Sequence, residues 1–386
     1  MIVVIHGVGT HNKGAELMLY AVLQEIERKD PKAIVFLHTS MIAEGLESIK
    51  TNLQLQELPF SKIIRVASKT RLTGILNRIG IYSRLLNNVL PVRNADYFLD
   101  ASGLHFSDKT NIDNFLLKYW QQTLKSYYNQ GTKIIFLPQQ FGPIEKNNTK
   151  KAVAALDKYA TLLMPRDEQS YNIINNAVTA KEKIIPHKDF TSLVEGIVPP
   201  KYNHLKDAVC IIPNSQMYNK GAIGKDKYIE FINGLNKSIC QKGYKTFLLD
   251  HANDKALLQE CAKIMDNKPE VVSGLNALEV KGLISQSYAC ISSRFHGAAS
   301  ALNEGIPCLV TSWSHKYEEL LKEYNMSDSV LDINNLEECR QKIERFLDKE
   351  VNHKVRQSLL EQKGENLSQT KRMWNEIWAL RQTNSR

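Results

Sequence analysis

At 386 residues the chain is longer than one hydrophobic core usually supports, so two domains of ordinary size are expected. Its 43% hydrophobic and 24% charged residues are those of a folded globular protein and exclude a largely disordered chain. A formal charge of +9 favours an acidic partner, without choosing among nucleic acid, anionic lipid and a phosphorylated substrate.

The opening MIVVIHG is a β-rich run, too short and too quickly interrupted for a secretory signal, and it lacks a basic leading region. No apolar run approaches the ~18 residues of a spanning helix, so the cytoplasm is the expected location. A Gly-rich turn, the helical pattern AELMLYAVLQEIERKD and a second buried strand, AIVFLHT, complete a βαβ unit. Gly7, Gly9 and Gly14 in GVGTHNKG lack the spacing of a dinucleotide fingerprint, and no GxxxxGK[ST] phosphate loop occurs. The same turn offers His11, and Asn12, Lys13 and Glu16 are candidate acceptor-side contacts.

Residues 61–93 carry Lys62, Arg65, Lys69, Arg71, Arg78, Arg84 and Arg93, with no acidic residue, among Ile, Leu and Val. Two readings stay open: a solvated basic helix pair packed on its own domain, or an amphipathic surface in peripheral contact with an anionic membrane. A nucleic-acid partner is not expected, because Tyr82 alone supplies an aromatic ring within the run.

Strand and helix then alternate: ADYFLDASG, a helix from about Asn114 to Asn129, KIIFLPQQFGP, a helix from about Asn148 to Tyr159, and TLLMPRD. In a parallel sheet the turns after such strands form a ligand crevice. Asp100 falls at a strand end, with His105 and Asp108 in the following loop, a place for general-base chemistry on an alcohol. Loop exposure explains these residues equally well. In MPRDEQS, Asp167 suits a helix N-cap, while Arg166 either reaches an acidic donor or ties to neighbouring acids.

Residues 183–208 have the Pro-Pro pair and weak periodicity of a joint between an N-terminal domain, 1–182, and a C-terminal domain, 209–333. The alternation restarts with AVCIIPN, a helix from Lys227 to Lys242, KTFLLDH, a helix from Asn253 to Met265, VVSG and a helix from Asn276 to Ser285. ACISSR, a helix opening near Phe295, CLVTSW and a helix from His315 to Tyr324 follow. A helical tail, 334–386, carries Met373, Trp374 and Trp378, which suit docking on a domain surface. The six cysteines all lie beyond residue 209 and never reach CxxC spacing, so reduced, mostly buried thiols are expected. Neither HExxH nor a compact ligand set occurs, and no metal is assigned.

ISSRFHGAASALNEGIPCLV, residues 291–310, places Ser292, Ser293, Arg294 and His296 between a strand and a helix entrance. Two cations there oppose the helix dipole unless an anion compensates, which points to a phosphate or carboxylate ligand. The alternative is a surface salt bridge for Arg294 and a satisfied core position for His296. His315 and Lys316 in WSHKYEEL would add a second cationic lip at the next strand end.

GVGTHNKGAELML, DASG, LPQQFGP, PRDEQS, SSRFHGAASALNEGIPCLV and SHKYEEL together resemble the polysaccharide pyruvyltransferase family over roughly residues 1–330. The resemblance implies an α/β fold of two Rossmann-like domains facing a cleft, like the GT-B glycosyltransferases. It also implies transfer of pyruvate from phosphoenolpyruvate onto two hydroxyls of a sugar, in a glycan or lipid-linked glycan, as a cyclic ketal. Phosphoenolpyruvate is then the donor substrate and no cofactor is needed. Arg294 takes donor binding, with Ser292, Ser293, Arg166, His315 and Lys316 as further donor contacts. His296 takes proton delivery, with Asp100 or His105 as base. A peripheral enzyme of cell-envelope polysaccharide synthesis would meet its acceptor at the inner leaflet. Lys13, Gly14, Ala15 and Glu16 follow Asn12 where the family commonly has a glycine, asparagine, glycine, aspartate opening. A nucleotide-sugar glycosyltransferase of the same architecture, with Glu304 as ribose partner, is the second reading. A non-catalytic membrane-surface adaptor is the third.

Overall fold

The computed structural model describes residues 1–10, 12–37, 45–58, 92–219, 223–311 and 316–380. They form two compact units, one made of Met1–His11, Met18–Thr191 and Ser368–Arg386, the other of Asn12–Leu17 and Ser192–Leu367. The boundary at Thr191 falls within the Pro-rich segment 183–208.

In chain order the first unit holds β1 (Ile2–His6), α1 (Lys13–Lys29, whose first turn clusters with the second unit), β2 (Ile34–Leu37), β3 (Gln54–Glu57) and β4 (Tyr97–Asp100). It continues with α2 (Asn114–Asn129), β5 (Lys133–Gln139), α3 (Asn147–Tyr159), β6 (Leu162–Pro165) and α4 (Glu168–Ala177). Its parallel sheet runs β3-β2-β1-β4-β5-β6. Strand order reverses between β1 and β4, where His6 and Asp100 are register partners at the strand ends, so those two side chains flank the topological switch point.

The strands form for the reason parallel strands usually do. β4 and β6 are buried along their whole length, and such strands read as continuous apolar runs because helices cover both faces. Asp113 caps α2 by accepting from the Leu116 N–H at 2.7 Å. Helical spacing then buries Leu117, Trp120, Leu124 and Tyr127, and Trp120 packs 5.0 Å from Phe106. β3, with the sequence QLQE, was not expected as a strand. Among the described residues it is a half-exposed edge paired with β2, so the apolar pattern of an inner strand is missing.

The second unit holds β7 (Val209–Ile212), α5 (Gln216–Asn219), α6 (Lys225–Gln241), β8 (Thr246–Leu249), α7 (Lys255–Ile264), β9 (Glu270–Val272) and α8 (Ala277–Ser285). β10 (Ala289–Ser292), α9 (Phe295–Asn303), β11 (Cys308–Thr311), α10 (Lys316–Glu323), β12 (Val330–Leu331) and α11 (Leu336–Leu347) follow. Its sheet runs β12-β11-β10-β7-β8-β9, again parallel and reversing at the first strand. The strand pleat sends Cys210 and Ile212 into one core layer with α8 and α9, and Val209 and Ile211 into the opposite layer with α6 and α11. Asn276 and Glu279 close a capping box at the start of α8.

α12 (Lys349–Ala379) ends the described chain. Within the first unit Trp374 and Trp378 are buried, and the Trp378 ring stands edge-on to Tyr97 at 5.1 Å. All six cysteines are free thiols, five of them buried. Among the described residues no helix is long and apolar enough to cross a membrane. The basic segment lies, apart from Val92 and Arg93, outside the described residues.

Candidate active site

β10 hands the chain to α9 through a turn that Ser292 and Ser293 hold shut. The Ser292 hydroxyl accepts from the Arg294 N–H at 3.1 Å and donates to the Arg294 carbonyl at 2.8 Å. The Ser293 hydroxyl lies 2.7 Å from the Tyr228 hydroxyl and 2.6 Å from that of Thr311. Its carbonyl accepts from Asn214 Nδ2 and the Tyr317 hydroxyl at 2.8 and 2.9 Å. Both serines are buried, and their hydroxyls are engaged with the protein. In this structure they shape the turn that presents Arg294.

Arg294 occupies the N-cap of α9 in extended conformation (φ −114°, ψ 129°) and makes no side-chain cap. The helix therefore starts without the oxygen that usually offsets its positive end, which leaves an anion favoured there. The guanidinium pairs through Nη2 with the buried carboxylate of Asp254. Its Nε is buried with no hydrogen-bond partner among the described residues. Asp254 is itself fixed, its N–H donating to Asp250 Oδ1 at 2.8 Å.

His296 lies in the first turn of α9, against the first turn of α1 in the same unit. A Cβ added at Gly14 would stand 2.2 Å from His296 Nδ1 and 2.6 Å from Cγ, so only glycine fits. Asn12 places that turn: its side chain accepts from the Gly14 N–H at 2.9 Å and its carbonyl from the Glu16 N–H at 2.9 Å. Lys13 and Glu16 pair across one turn at 2.7 Å. Asn12, Lys13 and Glu16 thus belong to the turn that packs on His296.

Two residues that the sequence reading passed over belong to this cluster. One is Asp254. The other is His251, just after β8 and 4% exposed, whose burial and the positive charge of His296 and Arg294 push its pKa down to about 3. His251 is therefore a neutral imidazole at pH 7. The signal available was LLDHAND, polar residues directly after a buried strand, at the edge where α/β sheets collect ligands.

In the first unit Asp100 is wholly buried at the end of β4. Its carboxylate receives His6 Nδ1 at 2.7 Å, the Ser102 hydroxyl at 2.8 and 2.7 Å, and Gln139 Nε2 at 3.2 Å. Burial favours the protonated acid, but the His6 hydrogen bond and charge, with His105 and Ser102, outweigh it and hold the pKa below the usual carboxylate range. Gly7, at φ +77°, lets the β1 turn close on Ser102, since a Cβ there would lie 2.2 Å from the serine oxygen. The His6 ring stands 4.8 Å from Trp120, 5.8 Å from Phe98 and 5.9 Å from Tyr119. His6, inside the opening strand, was not singled out from sequence.

His105 sits beside this pair, 6.4 Å ring to ring from His6 and 5.0 Å from Trp120. Burial depresses its pKa to about 4; Asp100 opposes the shift and His6 adds to it. Asp108 is turned to structural work, accepting from the N–H groups of Glu145 and Lys146 at 2.7 and 3.2 Å. Arg166 follows β6 and lies 4.0 Å from Asp189, while Asp167 caps α4 by accepting from the Ser170 N–H at 2.7 Å. Lys316 opens α10; its side chain, His315 and His11 lie outside the described residues. Among the described residues no cluster of three or more His, Cys, Asp or Glu is arranged to hold a metal ion.

The two depressed histidines make an acid-stability prediction. Each binds a proton in the unfolded chain near its ordinary pKa of about 6.5 but not in the folded one until about pH 4 for His105 or 3 for His251. Across that window the unfolded state holds more protons, so stability falls as pH falls. The depressed pKa of Asp100 acts at still lower pH and stays out of most of this window. Urea midpoints should drop between pH 6.5 and 4.5, and His105→Phe should remove about 2 kcal/mol of that drop. An equal drop in the variant would remove His105 from the account.

The polysaccharide pyruvyl transferase family model matches residues 12–315. No curated protein matches the chain. Among solved structures, trehalose-6-phosphate synthase OtsA is similar at TM-score 0.60 and 11% identity, with 99% of each chain covered. Anabaena Alr3699/HepE in complex with UDP gives 0.57 and 12%, covering 98% of this chain and 99% of that one. The UDP-GlcNAc 2-epimerase of Neisseria meningitidis bound to UDP-GlcNAc gives 0.54 and 13%, covering 93% and 94%. At these identities the likeness is one of fold, that of the GT-B glycosyltransferases and epimerases. The family match is of another kind, because it spans most of the chain and takes in the turn of Arg294 and His296: the protein belongs to the polysaccharide pyruvyl transferase family, whose members are transferases acting on sugar polymers.

Proposed function

We propose that the protein transfers pyruvate from phosphoenolpyruvate to two hydroxyls of a sugar, forming a cyclic ketal and releasing phosphate. The observation that carries this reading is Arg294 at the uncapped entrance of α9, its Nε a buried donor without a partner among the described residues, with His296 in the first turn of that helix. A multiply charged anion answers both the helix end and the guanidinium fork. Arg294 holds the phosphate or carboxylate of the donor, and Lys316, which opens α10 in the same unit, is the further cation assigned to it.

His296 delivers a proton to the donor methylene, which becomes a methyl group as the adjacent carbon turns electrophilic. A sugar hydroxyl adds to that carbon, phosphate leaves, and a neighbouring hydroxyl closes the ring. Cationic groups fixed before the reaction matter because the donor's charges lose their water on binding. The acceptor sugar is carried on a glycan, free or lipid-linked. Delivery at an anionic membrane surface rests on the basic run 61–93 alone.

A second reading, transfer from a nucleotide sugar, draws support from the GT-B neighbours solved with UDP. Its ribose partner would be Glu304. That carboxylate stands at the C-terminal end of α9, opposite Arg294, and is engaged by Lys281 at 3.2 Å and Lys363 at 2.8 Å. Two lysines already answer its charge, which favours the pyruvyl reading. The test is phosphate release from phosphoenolpyruvate that depends on added sugar, run beside UDP release from UDP-glucose. Sugar-dependent phosphate with no UDP is expected; UDP alone would select the second reading.

A further inference from the structure

We propose that His251 is a neutral hydrogen-bond donor to the oxyanion that Arg294 holds, its Nδ1–H and the Arg294 Nε–H binding oxygens of one phosphate or carboxylate group. This deepens the pyruvyl-transfer reading and rests on it for the identity of the anion.

Topology brings the two side chains to one edge of the second unit. β10, β7 and β8 are neighbours in its sheet; His251 follows β8 by two residues and Arg294 follows β10 by two. Their turns therefore stand on either side of β7, where strand order reverses and open α/β sheets bind ligands. The turns are also joined, because Arg294 Nη2 pairs with the carboxylate of Asp254, three residues after His251. Asp250 holds the shape of the His251 turn, its Oδ1 accepting from the Ala252 N–H at 3.2 Å and the Asp254 N–H at 2.8 Å. His251 is thus presented from a fixed loop.

Hydrogen bonding supplies a second, independent observation. His251 is 4% exposed and its Nδ1 is buried without a hydrogen-bond partner among the described residues, as is Arg294 Nε. Buried polar nitrogens are satisfied in nearly all folded proteins, and one left over lowers stability until something engages it. Two of them on joined turns, beside a helix entrance with no side-chain cap, share one remedy. An oxyanion accepts from both and from the first N–H groups of α9. Because a carboxylate or a phosphate dianion only accepts, Nδ1 carries the ring proton.

Electrostatics explains why a neutral ring suits the place. Burial, and then the charges of His296 and Arg294 and more weakly of Lys13, hold the imidazole uncharged at pH 7, although its own carbonyl pulls the other way. All these residues belong to the second unit. A further cation would repel the others before the donor binds. An imidazole N–H adds a hydrogen bond without that repulsion.

The experiment measures calorimetric binding of phosphoenolpyruvate, inorganic phosphate and pyruvate to wild type, His251→Leu and His251→Asn. Leucine has no N–H to offer, whereas the asparagine amide nitrogen stands near the place of Nδ1. His251→Leu should weaken phosphoenolpyruvate binding about 10–10²-fold, and His251→Asn should restore it to within about threefold of wild type. Whichever of phosphate and pyruvate loses affinity in His251→Leu identifies the group that Nδ1 meets. Without ligand, His251→Leu should melt at or above the wild-type temperature, since an unsatisfied buried nitrogen is gone; a histidine kept for the fold would lower it. Nitrogen NMR of wild type with phosphoenolpyruvate bound should find His251 protonated on Nδ1. A His251→Leu protein that melts well below wild type or binds phosphoenolpyruvate within about threefold of it, or a His251 protonated only on Nε2 in the complex, overturns this inference alone. The expected binding pattern in an enzyme that puts no donor carbon on sugar would uphold the oxyanion site and overturn the pyruvyl reading. A wild type that binds none of the three anions overturns both.

Discussion

Replacing Arg294 by lysine should cost about 10²-fold or more in kcat/KM for phosphoenolpyruvate, with a melting temperature close to that of wild type. The structure makes lysine the informative substitution. Arg294 does two things: Nη2 holds the buried carboxylate of Asp254, and Nε remains a buried donor at the entrance of α9. Alanine removes both and strands Asp254, which is 7% exposed, without its cation. An orphaned buried charge of that kind costs about 3–5 kcal/mol, so loss of activity in the alanine variant would be confounded with loss of fold. A lysine ammonium can answer Asp254 but offers no planar fork to a second oxyanion. Activity of the lysine variant within about threefold of wild type would show that the fork is not used on the donor.

Gly14→Ala should cut the rate about 10²–10³-fold while leaving donor affinity nearly intact. Helix propensity argues the other way, since alanine in a helix is worth about 1 kcal/mol over glycine. Contact decides. The added methyl would stand 2.2 Å from His296 Nδ1, 2.6 Å from Cγ and 2.7 Å from Cε1, and Asn12 anchors the turn that carries it. The imidazole must rotate away, which removes the proposed proton donor from its place without touching Arg294. Calorimetric binding of phosphoenolpyruvate together with phosphate release separates the two effects. Unchanged turnover in Gly14→Ala would mean that His296 does not need its observed position.

Much of the fold could be read from the sequence because parallel strands covered on both faces leave unbroken apolar runs, as in YFLD, LLMP, VCII and CLVT. Capped helices between them leave the 3.6-residue period, and α2 begins and ends where that period places it, at Asn114 and Asn129. What escaped was one edge strand of each sheet, β3 and β12. β3 is polar and half exposed, and β12 is two residues long, so neither carries an inner strand's signature.

The site was legible only in part, for a related reason. Arg294 and His296 announce themselves because two cations beside a helix start are costly without an anion. Their supports do not: Asp254 and His251 lie about 40 residues earlier in the chain, and nothing local in LLDHAND says which helix end they face. The His6 and Asp100 pair is separated by 94 residues and exists only because β1 and β4 are neighbours across the sheet reversal. Ser292, Ser293 and Asp108 show the converse. Hydroxyls and carboxylates at a strand end look like ligand contacts in a sequence, and in the structure these three also close turns and pair with neighbouring backbone and hydroxyl groups.

The central claim is that the carbons of phosphoenolpyruvate end up as a ketal on sugar, and carbon NMR of the acceptor after reaction with donor labelled at C2 tests it most directly. The account predicts one labelled quaternary carbon bonded to two sugar oxygens, in equal amount with the phosphate released, and formed about 10²-fold or more slowly with Arg294→Lys at low donor concentration. Labelled carbon found only in free pyruvate, or an acceptor that gains a hexose from UDP-glucose and no label, would contradict it.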